Sequence, residues 1–280
     1  MEMIHTAAAC KAWTSGQSGS TIGFVPTMGA LHFGHMELVK RCLEENDKCI
    51  VSIFVNPTQF TDARDLTAYP RQPEQDQKML ESLGVHALFM PAPSEMYPQG
   101  TEALLQIPLD NLDKVMEGAS RPGHFTGVVT IVDLLFKLIQ PHKAYFGEKD
   151  FQQLLVIKKL VEFCHHPTQI VACPLVREAD GLAYSSRNMR LNEHDRRLAK
   201  IIPDTLLEVA RRYRPGHVNE AKESVHRIFA GAPGVTLDYF KICNPQTLSE
   251  IVEGDTGQVR MFVAALVGGV RLIDNTNAPL

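Results

Sequence analysis

Pro26-Thr27-Met28-Gly29-Ala30-Leu31-His32-Phe33-Gly34-His35 joins an apolar run to a helical one, and its reading decides the fold. Ile22, Phe24 and Val25 before it suit a buried strand, while Met36, Val39 and Leu43 after it recur at helical spacing. The segment is therefore a βα junction. The first amides of a helix lack partners inside it and carry the positive end of its dipole, so they favour a phosphate. Gly29 and Gly34 let a ligand approach the backbone. His32 and His35, three apart, share one side of the helix start, where two imidazoles can flank an anion. The stretch reads as a nucleotide phosphate site; the plain alternative is two solvated histidines at an ordinary helix start.

Spacing removes several rival readings. Gly29 and Gly34 have the glycine spacing of a P-loop, but His35 and Met36 stand where that loop needs Lys followed by Ser or Thr. No Gly-x-Gly-x-x-Gly follows the strand, which weakens a dinucleotide reading. A zinc site needs more ligands than two histidines, and no partner group stands at motif spacing.

The rest of the chain fits a globular α/β protein. Its 280 residues allow one or two domains, with 44% hydrophobic and 21% charged residues. A net charge of -4 gives no general attraction for nucleic acid or an anionic membrane. Cys10, Cys42, Cys49, Cys164, Cys173 and Cys243 form no Cys-x-x-Cys pair and read as reduced, mostly buried residues of a cytoplasmic protein. Met1 to Ser20 holds no apolar signal core, and no later stretch has the length of a transmembrane helix.

Strand and helix patterns alternate, which predicts a Rossmann-like parallel sheet with flanking helices over residues 1–175. Strands are expected at Cys49 to Val55, Ala87 to Met90, Lys143 to Phe146 and Gln169 to Cys173. Helices are expected at Pro73 to Leu83, from about Gly127 to Gln140, and at Asp150 to Cys164. Residues 176–280 read as a smaller α+β domain: helices at Glu193 to Arg212 and Val218 to Ala230, then strands at Thr236 to Cys243, Val259 to Val267 and Val270 to Ile273.

If the first turn holds phosphate, other site residues belong at strand carboxyl ends. Asn56-Pro57-Thr58-Gln59-Phe60 follows a strand and offers two amides to a small polar substrate, or forms a capped turn. Phe146-Gly147-Glu148-Lys149-Asp150 places a lysine for phosphates and a helix-capping or nucleotide-contacting aspartate at a second strand end, with Gln152 and Gln153 following. In Arg177 to Asn188, Ser185 and Ser186 can bond phosphate oxygens and Arg187 can clamp them, unless the stretch is a flexible linker. Arg121-Pro122-Gly123-His124-Phe125 is a basic rim or a helix entry, and His165, His166, Arg211, Arg212 and Arg214 read as solvated surface.

Together, Pro-Thr-Met-Gly-Ala-Leu-His-x-Gly-His, Phe-Val-Asn-Pro-x-Gln-Phe, Phe-Gly-Glu-Lys-Asp-x-Gln-Gln and Arg-Glu-x-Asp-Gly-Leu-Ala-x-Ser-Ser-Arg-Asn resemble the pantothenate synthetase (pantoate-β-alanine ligase) family of the nucleotidyltransferase superfamily, over Thr21 through Asn275. The resemblance implies adenylation of pantoate by ATP, then attack of β-alanine on the acyl adenylate, giving pantothenate and AMP. It implies an ATP site of Met28, Gly29, Ala30, Leu31, His32, Phe33, Gly34 and His35, continued by Gly147, Glu148, Lys149 and Asp150 and by Val176, Tyr184, Ser185, Ser186 and Arg187. His35 is the implied proton donor, with His32, Lys149 and Arg187 beside it in catalysis; Gln59 and Gln153 are implied pantoate contacts. Mg²⁺, a homodimer and a small domain closing over ATP are implied too.

Phe33 stands where many relatives carry Glu, and Tyr184 where Met is frequent. Gln75 and Met79 weaken a protein site for Mg²⁺, leaving its protein ligands unassigned. Another small-molecule nucleotidyltransferase and a catalytically silent nucleotide sensor are the competing readings, while a class I tRNA synthetase lacks its RNA-binding extension here.

Overall fold

A computed structural model describes residues 1–101 and 104–278, in two compact units, Met1–Pro174 and Leu175–Leu280. The first unit contains strands β1 (Glu2–Ile4), β2 (Ile22–Thr27), β3 (Lys48–Ile53), β4 (Ala87–Phe89), β5 (Lys143–Gly147) and β6 (Gln169–Cys173). Its helices are α1 (Ala7–Ser15), α2 (Phe33–Glu45), α3 (Ala63–Ala68), α4 (Pro73–Ser82), α5 (Pro93–Met96), α6 (Met116–Ser120), α7 (His124–Ile139) and α8 (Phe151–Cys164).

The sheet runs β1-β4-β3-β2-β5-β6 with every neighbouring pair parallel. Strands covered on both faces read as continuous apolar runs, and β2 and β3 are buried along almost their whole length. Phe24 of β2 meets Phe136 of α7 edge to face, with centroids 6.3 Å apart. From β2, the chain builds outward through β3 and β4 on one side and through β5 and β6 on the other. The crossovers therefore reverse between β2 and β5, leaving a crevice at their carboxyl ends where open α/β sheets bind ligands.

The second unit holds α9 (Glu193–Ala199), α10 (Ile201–Arg212), α11 (Val218–Ala230), β7 (Val235–Cys243), β8 (Arg260–Val267) and β9 (Val270–Asn277). The three strands form an antiparallel sheet, β7-β8-β9. Leu206 and Val209 of α10 and Val225 and Phe229 of α11 share a core with Met261 and Val263 of β8.

Some elements differ from the sequence reading. β1 and α1 occupy the first 15 residues, where no element was expected; three residues of strand give too short an alternation to read. The expected helix from Glu193 to Arg212 is two helices, α9 and α10. Pro203 lies four residues beyond Ala199, where its ring would clash with the Ala199 carbonyl of a continuous helix. α7 starts at His124, behind Gly123 at φ 85°, rather than near Gly127. β9 runs on to Asn277, paired to Arg260. His166 is not solvated: its Nε2 lies 2.9 Å from Oδ1 of Asp133, whose other oxygen accepts from Lys137 Nζ at 2.7 Å. Among the described residues no helix is long and apolar enough to cross a membrane.

Candidate active site

Backbone geometry forces the turn after β2. Gly29 has φ 77° and Ala30 φ 49°, both in the left-handed region, which costs a residue with a Cβ. A buried carboxylate supports this shape: Asp76 of α4 accepts from the Ala30 amide at 2.9 Å and from the Leu31 amide at 2.7 Å. Burial raises the Asp76 pKa, and the two amide bonds draw it back only in part. Of the segment expected to bind phosphate, Ala30 and Leu31 thus have their amides committed to Asp76 and their side chains buried. The turn presents its ligand-facing chemistry through Met28 and the histidines.

His32 caps α2, and its backbone N–H donates to His35 Nδ1 at 3.3 Å, with the two rings 3.9 Å between centroids. Burial is the main cause that lowers both pKa values. His32 is brought to about 4, with Lys149 lowering it further and Asp150 opposing. His35 lies well below its ordinary value, with His32 and Lys149 adding to the effect of burial. Both rings are therefore neutral near pH 7. A neutral imidazole has one N–H; because Nδ1 of His35 is the acceptor, its N–H is at Nε2. Phe33, between them, is exposed beneath Lys40, whose Nζ is 5.0 Å from the ring centroid.

The second strand-end turn follows β5. No atom lies within 4 Å of where a Gly147 Cβ would be, so the space above the turn is open. Glu148 to Asp150 form one 3-10 turn leading into α8, and the Lys149 side chain is only 18% exposed. Lys149 Nζ is 3.5 Å from Oδ1 of Asp150. Asp150 occupies the cap position of α8, but its side chain makes no capping bond. Gln152 and Gln153 part company here. Gln152 is buried, accepting from the Glu117 amide and donating to the Leu112 and Val115 carbonyls, whereas Gln153 stays partly exposed.

Between β3 and α3, Asn56 and Gln59 also separate. Asn56 is buried and fully used: it donates to the Gly127 carbonyl at 3.1 Å and to Gln59 Oε1 at 3.2 Å, while Tyr97 O–H donates to it at 2.7 Å. It is the capped-turn residue rather than a second substrate amide. Gln59 aims Nε2 at the Met28 sulfur, 2.8 Å away, and thioether sulfur is a weak acceptor that a substrate oxygen can displace. A Cβ on Gly127 would lie 2.5 Å from the Thr58 carbonyl oxygen, so glycine is what lets α7 press against this turn. His124 lies 2.7 Å from the Gln59 carbonyl oxygen through Nδ1.

In the second unit, residues 176–184 form a hairpin rather than a loose linker: Tyr184 N–H donates to the Val176 carbonyl at 3.0 Å, and Arg177 bridges Ala183. Its charges are structural. Arg177 grips both oxygens of Asp274, at 2.6 and 3.0 Å, and Arg196 holds Glu178 and Asp180 at 2.5 and 2.7 Å. Ser185 then caps a 3-10 turn by accepting from the Arg187 amide at 3.3 Å; Ser186 is buried, with Tyr184 and Arg187 partly exposed.

Two contributors escaped the sequence reading. Asp76 supports a turn 45 residues upstream, and no spacing rule connects them. His124 was visible only as a basic rim, because its acceptor lies 65 residues away.

A family model for Pantoate-beta-alanine ligase matches residues 2–277. Pantothenate synthetase of Porphyromonas gingivalis is 45% identical over 279 residues, 98% of each chain, and that of Bacteroides fragilis is 46% identical over 280 residues, again 98% of each. The crystal structure of pantothenate synthetase from Thermus thermophilus superimposes with TM-score 0.91 at 41% identity over 100% of both chains. That of pantoate-beta-alanine ligase from Francisella tularensis, complexed with beta-gamma ATP and beta-alanine, gives TM-score 0.84 at 37% identity, covering 99% of this chain and 98% of its own. With crevice, turns and whole-chain similarity in agreement, the chain belongs to the pantoate-beta-alanine ligase family.

Proposed function

We propose that this chain condenses (R)-pantoate with β-alanine through a pantoyl adenylate, consuming ATP and releasing AMP and pyrophosphate. The observation that carries this reading is the meeting, at one β2/β5 crevice, of a neutral His32-His35 pair with Lys149, in a chain matched throughout by the ligase family. ATP and β-alanine, bound in the Francisella relative, are its proposed ligands.

In this reading the turn from Met28 to His35, whose shape Ala30 and Leu31 hold through Asp76, binds ATP together with Gly147 to Asp150, Val176 and Tyr184 to Arg187, and Gln59 and Gln153 hold pantoate. A pantoate carboxylate oxygen attacks the α-phosphorus as pyrophosphate leaves; the neutral amine of β-alanine then attacks the acyl carbon, its C–N bond forming as the C–O bond to AMP breaks and the nitrogen's proton passes to water. Attack of one anion on another is opposed by charge. Lys149 and Arg187 supply the opposing charge, while His35 Nε2–H and His32 act as neutral hydrogen-bond donors aimed at oxygens whose charge grows. Neutrality suits them, because they stabilise developing charge without giving up a proton. Positioning adds more: holding two reactants in line can contribute about 7–11 kcal/mol in favourable cases.

Mg²⁺ takes hard oxygen ligands, and the described residues do not form a cage for it. Asp76 spends both oxygens on amides, and the grouped Asp133, Cys164 and His166 include a soft thiol. Mg²⁺ brought with ATP would therefore be held chiefly by phosphate oxygens and water, where it would offset phosphate charge. A homodimer, implied by the family resemblance, is checked by sedimentation equilibrium.

Pantoate-dependent exchange of labelled pyrophosphate into ATP, before any β-alanine is added, tests the reading. Exchange, followed by pantothenate and AMP once β-alanine is present, is expected. Folded protein that binds ATP with neither exchange nor amide formation would instead be a sensor, and exchange driven by a different acid would make it another nucleotidyltransferase.

A further inference from the structure

α8 starts beside Lys149, after β5, and its 14 residues carry the chain about 21 Å to Cys164, away from the crevice. His165 then turns the backbone at φ 53°, and His166 reaches back to α7, where its Nε2 lies 2.9 Å from Asp133 Oδ1. Cys164 completes the group: the donor atoms of Asp133, Cys164 and His166 all lie within 4.8 Å of one another. Among the described residues, this is the one group of three or more His, Cys, Asp or Glu side chains that converges so closely. It stands apart from the residues proposed to bind ATP and pantoate.

The donors are held as metal ligands need to be. The Asp133 and His166 side chains are 5% and 9% exposed. Lys137 Nζ engages the other Asp133 oxygen at 2.7 Å, so Oδ1 is the one turned toward the histidine. Phe136 meets the His166 ring edge to face, with centroids 5.4 Å apart, and fixes its plane. Supporting contacts of this kind orient metal ligands. A thiolate, an imidazole and a carboxylate suit Zn²⁺, whereas Mg²⁺ and Ca²⁺ take oxygen ligands. Tetrahedral Zn²⁺ keeps its ligand atoms about 3.4–3.7 Å apart, which small side-chain rotations reach here, and water fills the fourth position.

We propose that Asp133, Cys164 and His166 form a structural Zn²⁺ site that fastens the end of α8 to α7. On binding, the thiol proton passes to solvent and the hydrogen on His166 Nε2 moves through water to Nδ1. Sulfur and nitrogen then each give a lone pair to the ion, and nothing is oxidised or reduced.

Co²⁺, which takes the same donors and is coloured, is the probe, added to the full chain after treatment with a chelator. One equivalent should give the near-ultraviolet thiolate-to-cobalt band and the strong visible bands of tetrahedral cobalt, and Zn²⁺ should abolish both. Cys164→Ser should lose the near-ultraviolet band. His166→Gln should weaken binding by about 100-fold or more, at or beyond the upper end of the roughly 10–100-fold loss typical of a supporting contact. Zn²⁺ should raise the unfolding midpoint followed by Trp13 fluorescence in wild-type protein and leave that of Cys164→Ser unchanged. Protection of Cys164 from iodoacetamide needs no variant. Zn²⁺ at about one hundred times Kd should slow its alkylation by about 100-fold, read on the peptide that carries it, and spare none of the buried cysteines. Absence of a thiolate band in wild-type protein, a band that survives in Cys164→Ser, or alkylation of Cys164 unaffected by Zn²⁺ overturns the proposal.

Discussion

His35 illustrates what a side chain becomes once its neighbours are in place. Its motif marks it as a charged or proton-giving group, yet burial, His32 and Lys149 together hold the ring neutral, and the His32 amide fixes its tautomer. In the proposed reaction its contribution is then a single N–H at the developing charge. Removing one such donor typically costs about 10²–10³ in kcat, and His35→Ala is expected to lose that much of the exchange rate. The fold should survive, because the capping bond lost from His32 is worth only about 1 kcal/mol. Exchange and thermal unfolding measured on the same preparation check both halves, and near-normal exchange would end the assignment. The identities of His32, His35 and Lys149 as candidates were legible in the sequence, since strand, turn and helix signals bracket each of them. The protonation of the two histidines was not, because it depends on their burial in the folded chain. The same limit explains Asn56 and Gln152: as residue types they resemble Gln59 and Gln153, and only their buried partners reveal them as structural.

At the scale of elements, the β2-α2 turn depends on α4. Asp76 supplies both acceptors for a turn containing two residues at positive φ, one of them Ala30. In Asp76→Ala each amide left without an acceptor costs about 1–3 kcal/mol, and the histidines lose the support beneath them. A lower urea midpoint and a higher KM for ATP are expected together, with Asp76→Asn retaining part of both because its one carbonyl oxygen can still accept. An unchanged midpoint for Asp76→Ala would show that the turn holds its own shape. Long apolar strands such as β2 and β3 and periodic helices such as α2 and α8 could be read directly, since pattern and length agreed. β1 is too short for pattern, the start of α7 is set by a glycine conformation, and the break between α9 and α10 comes from a proline that the apolar periodicity runs through.

For the whole molecule, the residues that the family resemblance implies for ATP are divided along the chain between the two compact units, His32, His35 and Lys149 in the first and Ser185 to Arg187 in the second. That division can be tested because the chain has a single tryptophan, Trp13, buried in α1 of the first unit. Tryptophan fluorescence therefore follows unfolding of the first unit, while far-ultraviolet circular dichroism follows helices and strands in both. A ligand that binds only folded protein stabilises it by RT ln(1 + [L]/Kd), about 2.7 kcal/mol at one hundred times Kd. If nucleotide bridges residues of both units, ATP with Mg²⁺ and pantoate should raise the two transitions together and bring them into coincidence. If the second unit takes no part, the ligands should raise the fluorescence transition and leave a separate, unshifted portion of the dichroism transition. Arg187→Ala provides the control, since it removes the guanidinium proposed to hold phosphate while leaving the Arg177-Asp274 clasp and the core of that unit intact. In that variant the ligands should give a smaller common shift, which would place the lost binding energy in the second unit rather than in the crevice of the first.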